Sequence, residues 1–303
     1  QVELALSRIV NVQRLKFNVR CSVWGISATI GNLEEARDVL LSPVKLLHQK
    51  SDLKAPPPEG FGEARSWGEV IKADLHKQTA IQSIFPDEIE KYPWAGHLGI
   101  RMLREVLPII HRYRSTLIFT NTRAQCEIWY QQLLEADTEL AGQIAMHHGS
   151  ISKDLREWVE DALYDGRLKA VVCTSSLDLG VDFRPVEAIV QIGSPKGVAR
   201  FIQRAGRSGH QPGADSHIYF VPTHSLELIE AAALRTSIQN QDLEERIPYI
   251  RSFDVLVQYL MTLAVSEGFR PQDVYEEIKT CFCFRDINED DWLQVLNFLQ
   301  YGG

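Results

Sequence analysis

The residues with the clearest chemical potential in this 303-residue chain are the cations of the stretch PKGVARFIQRAGRSGH, residues 195–210. Glu187 is the last acid before it and Asp215 the first after it. Between them stand Lys196, Arg200, Arg204 and Arg207, with His210 at the end. Read as one helix bounded by Pro195 and Gly209, the stretch places the three arginines at i, i+4 and i+7, on one face. Like charges in such a stripe repel, and no acid within the helix relieves them. Gly206 in a helix interior would cost about 1 kcal/mol relative to alanine. A bound anion and a close backbone approach would offset both costs. The planar donor fork of arginine suits phosphate oxygens. The alternative is that these guanidinium groups pair with carboxylates from elsewhere in the fold.

Three other segments carry small donors: FTNTR (119–123), MHHGS (146–150) and CTSSLDLGVD (173–182). Each follows a short apolar run that reads as a strand. Ser, Thr, Asn and Gly there can present side-chain and backbone donors to phosphate without bulk. The same residues also serve ordinary turns. Three such loops on one edge of a sheet favour a ligand.

The elements that would position these loops follow from the hydrophobic pattern. TLIFT, IAMHHG, KAVVCTS, EAIVQIG and HIYFVP are short apolar runs. They alternate with helix-like segments such as RAQCEIWYQQLLEA and KDLREWVEDALYDG, the latter capped by Ser152 and closed by Gly166. This is the pattern of an α/β fold, a parallel sheet with helices on both faces, over residues 98–223. Upstream, VELALSRIVNVQRL reads as an amphipathic helix with Leu4, Ile9 and Val12 among its apolar positions. VRCSVWGISATI (19–30) reads as a buried strand, and GNLEEARDVLL as a short helix closed by Pro43. Residues 47–97 read as a linker or insertion, proline- and glycine-rich at APPPEGFGEARSW, with TAIQSIFP as one strand within it. After Pro222 the segments SLELIEAAALRTSI, SFDVLVQYLMTLAV, PQDVYEEIKT and NEDDWLQVLNFL read as helices of a small helical or winged-helix domain, 224–303. Trp292, Val295, Leu296 and Leu299 share one helix face, so that tryptophan belongs to a core.

Composition bounds the function classes. A hydrophobic content of 45% supports packed cores, and a formal charge of −8 argues against blanket adhesion to polyanions, so any such site is local. Five cysteines, odd in number and without CxxC spacing, point to reduced thiols and a cytoplasmic setting. No run of about 18 apolar residues offers a membrane span.

SATIG, LIFTNTRAQCEIW, HHGSISKDLREWVEDAL, VVCTSSLDLGVD and QIGSPKGVARFIQRAGRSGH stand in the order of motifs III to VI of superfamily 2 helicases. With WAGHLGIR and VPTHSLELIEAAA, the chain resembles Lhr-type (large helicase-related) enzymes over its whole length, most closely the bacterial ligase-associated DExH-box DNA helicases. The resemblance implies a RecA-like sheet followed by a winged-helix domain. It also implies an ATP-driven motor moving 3′ to 5′ on single-stranded DNA or a tailed duplex in DNA repair, with a DNA ligase and a nuclease as partners. By the same resemblance Ser27 and Thr29 would couple hydrolysis to unwinding. Thr120, Asn121, Arg123, His148, Gly149, Ser150, Thr174 and Ser175 would face the DNA. Gly180, Asp182, Arg204 and Arg207 would border the nucleotide, with Arg207 as the arginine finger and Arg204 beside it as a catalytic residue.

Two departures qualify the match. The family's last motif often ends in arginine where this chain has His210, mostly neutral at pH 7. No GxxxxGK loop followed by Ser or Thr occurs, and no DExH box, so ATP and Mg²⁺ would be held by a first RecA-like domain of which residues 1–46 are the tail. The chain by itself is thus expected not to hydrolyse ATP, and no metal ligands are assigned within it. A non-catalytic DNA-binding or regulatory module derived from a helicase is the alternative reading.

Overall fold

The computed structural model describes residues 1–19, 21–27, 29–49, 68–72, 79–84, 98–178, 186–208, 216–240 and 242–302. In chain order come helices α1 (Val2–Phe17) and α2 (Leu33–Gln49), strand β1 (Thr79–Ser83), and helices α3 (Leu98–Arg101) and α4 (Leu103–Arg112). Then follow β2 (Thr116–Phe119), α5 (Arg123–Ala136), β3 (Ile144–His147), α6 (Lys153–Tyr164), β4 (Ala170–Cys173), β5 (Ala188–Ile192), α7 (Val198–Ala205) and β6 (Ser216–Val221). Helices α8 (Leu226–Asn240), α9 (Phe253–Val265), α10 (Pro271–Ile278) and α11 (Glu289–Tyr301) complete the chain. None of the described helices is long and apolar enough to cross a membrane. The chain divides into two units, one comprising Gln1–Ala73 with Glu245–Gly303, the other Asp74–Glu244.

The second unit is built on a six-stranded, all-parallel sheet in the order β1-β6-β5-β2-β4-β3. Parallel strands need cover on both faces, and the period-two alternation of side chains supplies two cores. Leu117, Phe119, Val171, Cys173, Ile189 and Phe220 point to one face, where Val159 and Leu163 of α6, Phe201 of α7 and Leu234 of α8 pack on them. Ile118, Val172, Val190, Ile192 and Val221 point to the other, under Val106 and Ile110 of α4 and Trp129 and Leu133 of α5. TAIQS is therefore not a strand within a linker. As β1 it is the edge strand of this sheet, paired with β6 from Thr79↔Ser216 to Ser83↔Phe220. α8, too, packs on the sheet and belongs to this unit.

In the first unit, α9, α10 and α11 enclose a core of Leu256, Leu260, Val274, Ile278 and Phe284. Trp292 stacks 5.6 Å from Tyr275, with Leu296 and Leu299 packed at the edge of this core, as their spacing predicts. Leu4 of α1 joins the same core. Buried Glu277 gathers three donors from two helices: Arg8 Nη1 at 3.0 Å and Asn11 Nδ2 at 2.9 Å from α1, and Tyr259 Oη at 2.7 Å from α9.

Three local expectations are corrected. Among the described residues, 19–30 form no strand, and Trp24 and Ile26 are 82% and 98% exposed. Apolar composition does not make a strand without a partner to complete the ladder. Pro43 does not close its helix: α2 runs through it, and next to it the Ser42 hydroxyl donates to the Thr280 carbonyl at 2.8 Å. The helix continues at the expense of the one intrahelical bond for which proline has no donor. The buried face of α1 is Leu4, Ser7 and Val10, whereas Ile9 is 54% exposed.

Candidate nucleotide and nucleic-acid site

Because all strands run parallel, the carboxyl ends of β5, β2, β4 and β3 lie side by side on one edge of the sheet, where α/β folds collect ligands. The loops leaving that edge are tied to one another. Thr120 Oγ1 lies 3.1 Å from the Cys173 carbonyl, and Asn121 Nδ2 donates to the Ser194 carbonyl at 2.9 Å. Ser176, in a 3₁₀ turn Ser175–Leu177 after β4, contacts both the ring and the carbonyl of His147 at the end of β3. The loop after β5 is held by Glu227, which is buried and accepts from Ser194 N at 2.8 Å and Thr223 Oγ1 at 2.9 Å.

Asp178, just past the 3₁₀ turn, organises the arginines. It is 5% exposed and accepts from Arg204 Nε at 2.8 Å and Arg204 Nη2 at 3.3 Å. Arg200 Nε stands 3.6 Å from the same carboxylate. Arg207 Nη2 donates instead to the Asp178 main-chain carbonyl, at 2.7 Å. Arg204 is itself only 2% exposed. Its Nη1 donates to Gln191 Oε1 at 2.6 Å, and its guanidinium lies 4.5 Å from the centre of the Phe119 ring. Partial burial pulls the Arg207 pKa below its ordinary value, and the nearby Asp178 charge opposes the shift.

The single stripe of ligand-facing arginines is thereby corrected. Helix α7 ends at Ala205, Gly206 is its carboxyl cap rather than an interior residue, and Arg207 lies beyond the helix. Arg204 turns into the core, where Asp178 and Gln191 use its donors, so it does not reach a ligand. Gln191 explains why this is tolerable: a polar residue inside the apolar strand AIVQI needs a buried partner, and it gives its own Nε2 to the carbonyls of Ile192 and Gly193. Carboxylate pairing, the alternative read from the sequence, holds for Arg200 and Arg204.

The amino end of α7 is likewise occupied from within. Glu244 accepts from the backbone N–H of Val198 and, at 2.8 Å, of Ala199. Gly197 precedes them at φ 109, a left-handed conformation that requires glycine, and a Cβ there would displace the capping Glu244 carboxylate.

The residues assigned to DNA divide into two groups. Asn121, Arg123, Gly149, Ser150 and Ser175 are exposed on the three loops, with Thr174 half-buried among them. Thr120 and His148 are 1% and 4% exposed and turn inward. The Thr120 hydroxyl is used on main-chain carbonyls. The His148 ring takes the Ser150 N–H at Nδ1 and stands 3.5 Å from Glu127 at Nε2. Both are corrected from ligand-facing to loop-shaping residues. Ser27 is exposed and Thr29 buried, both in the first unit, with the Thr29 N–H donating to Ser27 Oγ at 3.3 Å. Gly180, Asp182, His210 and nearly all of the 50–75 insertion lie outside the described residues. Among the described residues no group of three or more His, Cys, Asp or Glu could hold a metal ion.

Comparison with known proteins gives two family matches: the helicase conserved C-terminal domain over residues 99–211, and the winged helix domain of large helicase-related protein over 236–303. The chain is 32% identical over 287 residues to ATP-dependent helicase Lhr-Core protein 2 of Thermococcus barophilus, covering 92% of this chain and 31% of that protein. It is 44% identical over 154 residues to a Mycolicibacterium smegmatis protein named Lhr helicase/probable uracil glycosylase, half of this chain and 10% of that one. Among solved structures, Mycobacterium smegmatis helicase Lhr bound to ssDNA and AMP-PNP matches with a TM-score of 0.82 at 26% identity, over 98% of this chain and 36% of that one. The chain thus spans about a third or less of the length of the relatives it matches.

Proposed function

This chain belongs to the large helicase-related (Lhr) family, of which it carries a helicase C-terminal domain and a winged helix domain, and we propose from that premise that it is the carboxyl part of an ATP-dependent 3′–5′ DNA motor acting in DNA repair. Residues 1–46 are then the end of a first RecA-like domain; residues 98–223, with strand β1 and helix α8 added to their sheet, are the second; and the segment after α8 begins the winged-helix domain. The observation that carries the reading is the carboxyl edge of the sheet. Three adjacent loops there expose Asn121, Arg123, Gly149, Ser150 and Ser175, donors suited to a phosphate backbone. Phosphate contacts of this kind fix register without reading bases, which suits a motor that travels over any sequence. The relative solved with single-stranded DNA and a nucleotide analogue shares the fold over nearly the whole chain, which supports the same partners here.

Of the two arginines assigned to the nucleotide, Arg207 fits a terminal phosphate and Arg204 does not. Arg207 is partly buried, lies beyond the end of α7, and has Nη2 held by the Asp178 main-chain carbonyl, which orients its guanidinium on the loop side of the helix. Bound ATP supplies the phosphoanhydride. This chain would contribute a guanidinium that stabilises charge on the transferring group, a role worth roughly 10³–10⁵ in rate where such fingers act. Gly180 and Asp182 would border the nucleotide, and Ser27 and Thr29 would couple its hydrolysis to movement. Mg²⁺ would be held outside this chain, and a DNA ligase and a nuclease are the expected functional partners.

The test is DNA-stimulated ATP hydrolysis by the complete polypeptide. Arg207→Ala should lower the stimulated rate by at least about a hundredfold with single-strand affinity kept within a few-fold. A complete polypeptide that binds DNA but hydrolyses no ATP would establish the non-catalytic module instead.

A further inference from the structure

His147, at the end of β3, has a side chain 1% exposed and three polar contacts that no neutral ring can satisfy together. Its Nδ1 lies 2.7 Å from Ser176 Oγ and its Nε2 3.1 Å from Glu160 Oε1, while Ser176 Oγ lies 2.9 Å from the His147 carbonyl. The Ser176 hydroxyl has one hydrogen. If it goes to the carbonyl, Nδ1 must carry the ring proton, and a neutral Nε2 then turns a lone pair toward the Glu160 carboxylate. If Nε2 carries the proton toward Glu160, Nδ1 accepts the Ser176 hydrogen, and the carbonyl keeps the Thr174 N–H at 3.2 Å. Only an imidazolium fills all three contacts.

The charged groups facing the ring are Glu160 and Arg156, both from α6; from β4 its cross-strand neighbour is Cys173, and from the 3₁₀ turn Ser176. Burial disfavours the cation and Arg156 adds to that, outweighing Glu160, so the His147 pKa lies below its ordinary value. At neutral pH the ring is uncharged, and the carboxylate selects which nitrogen keeps the proton.

We propose that His147 is a positioning residue for the Thr174–Asp178 turn: as the Nε2–H tautomer it holds the Ser176 hydroxyl through Nδ1, and on protonation it releases that hydroxyl to the β3 carbonyl. One proton taken up from solvent by Nδ1 thereby reverses the Nδ1–Ser176 hydrogen bond, with Nδ1–H now the donor, and adds the bond from the Ser176 hydroxyl to the carbonyl. The turn it hangs presents Thr174 and Ser175 and ends at Asp178, the residue that gathers Arg200, Arg204 and Arg207. The consequence for DNA rests on the function proposed above; the tautomer and the anchoring of the turn do not.

The test uses the 303-residue chain with ¹⁵N-labelled histidine. Long-range ¹H–¹⁵N correlation at pH 7.5 should show Nδ1 of His147 unprotonated and Nε2 protonated. An Nδ1–H tautomer, or a cation at that pH, would overturn the proposal. Ser176→Ala should speed amide exchange in the Thr174–Asp178 turn and weaken binding of a fluorescein-labelled oligo-dT by about two- to tenfold. Ser176→Thr should restore both. Unchanged exchange in Ser176→Ala would remove the positioning role. If the unaltered chain fails to bind oligo-dT, the nucleic-acid reading falls, while the tautomer and the exchange rates still decide the role of His147.

Discussion

Replacing Arg204 by alanine should cost the sheet unit far more stability than replacing Arg207, although the two arginines are three residues apart in one motif. Arg204 is 2% exposed, and its guanidinium makes two bonds to Asp178, one to Gln191, and a ring contact with Phe119. Truncating it leaves Asp178, itself 5% exposed, as a buried carboxylate that keeps, among the described residues, the more distant Arg200 as a cationic neighbour. Removing one member of such a pair costs about 3–5 kcal/mol, mostly for the charge left behind. At about 2–4 °C per kcal/mol for a unit of this size, the melting transition should fall by roughly 6–20 °C. Arg207→Ala forfeits, with its other contacts, a bond from a partly exposed group to a carbonyl worth about 0.5–1.5 kcal/mol, and leaves no buried carboxylate bereft of its main partner. Thermal and urea unfolding followed by circular dichroism measures both. A double-mutant cycle with Asp178→Asn and Arg204→Met sharpens the test, since the double variant leaves no lone buried charge and should cost less than the two singles summed. An Arg204→Ala variant within about 1 kcal/mol of the parent, below the range for a broken buried pair, would refute the assignment of Arg204 to the core.

Other outcomes follow from the same geometry. Glu244→Ala should lower stability by about 0.5–2 kcal/mol through loss of the α7 cap, seen as a shift in urea midpoint without a change in slope. Native alkylation at pH 8 should modify Cys21 and Cys283, both partly exposed. It should spare Cys126, pushed up to about 11 by burial, Cys281, pushed up to about 12, and fully buried Cys173; mass spectrometry reads the sites. His147 has a folded-state pKa below its unfolded value, so its contribution to stability is complete above about pH 6.5 and is lost as pH falls through the lower folded value. His147→Gln should flatten that acid limb of the stability profile; an unchanged limb would assign it to other groups.

Much of the architecture is readable from the order of residues alone, because its causes are local. Five of the six strands are short apolar runs at the carboxyl ends of which small donors stand, and the intervening helices carry their own caps, as at Thr122 and Ser152. The face of α11 that buries Trp292 follows from spacing. β1 is harder to see: TAIQS is five residues of mixed polarity, and only the ladder offered by β6 makes it a strand. The converse holds at 19–30, where strand-like composition meets no partner among the described residues.

At the site, residue type singled out the arginine motif and its neighbouring loops as candidates, and the structure exposes the donors at 121, 123, 149, 150 and 175 on them. Which arginine faces the core was decided by Asp178 and Gln191, 26 and 13 residues away from Arg204. A helical period gives the relative directions of side chains on one element. It says nothing of what stands opposite, and in a parallel sheet the opposing groups arrive through crossovers whose geometry no local pattern encodes. The partners of a buried charge are therefore a property of the packed fold, whereas the need for such partners is already written in the charge itself.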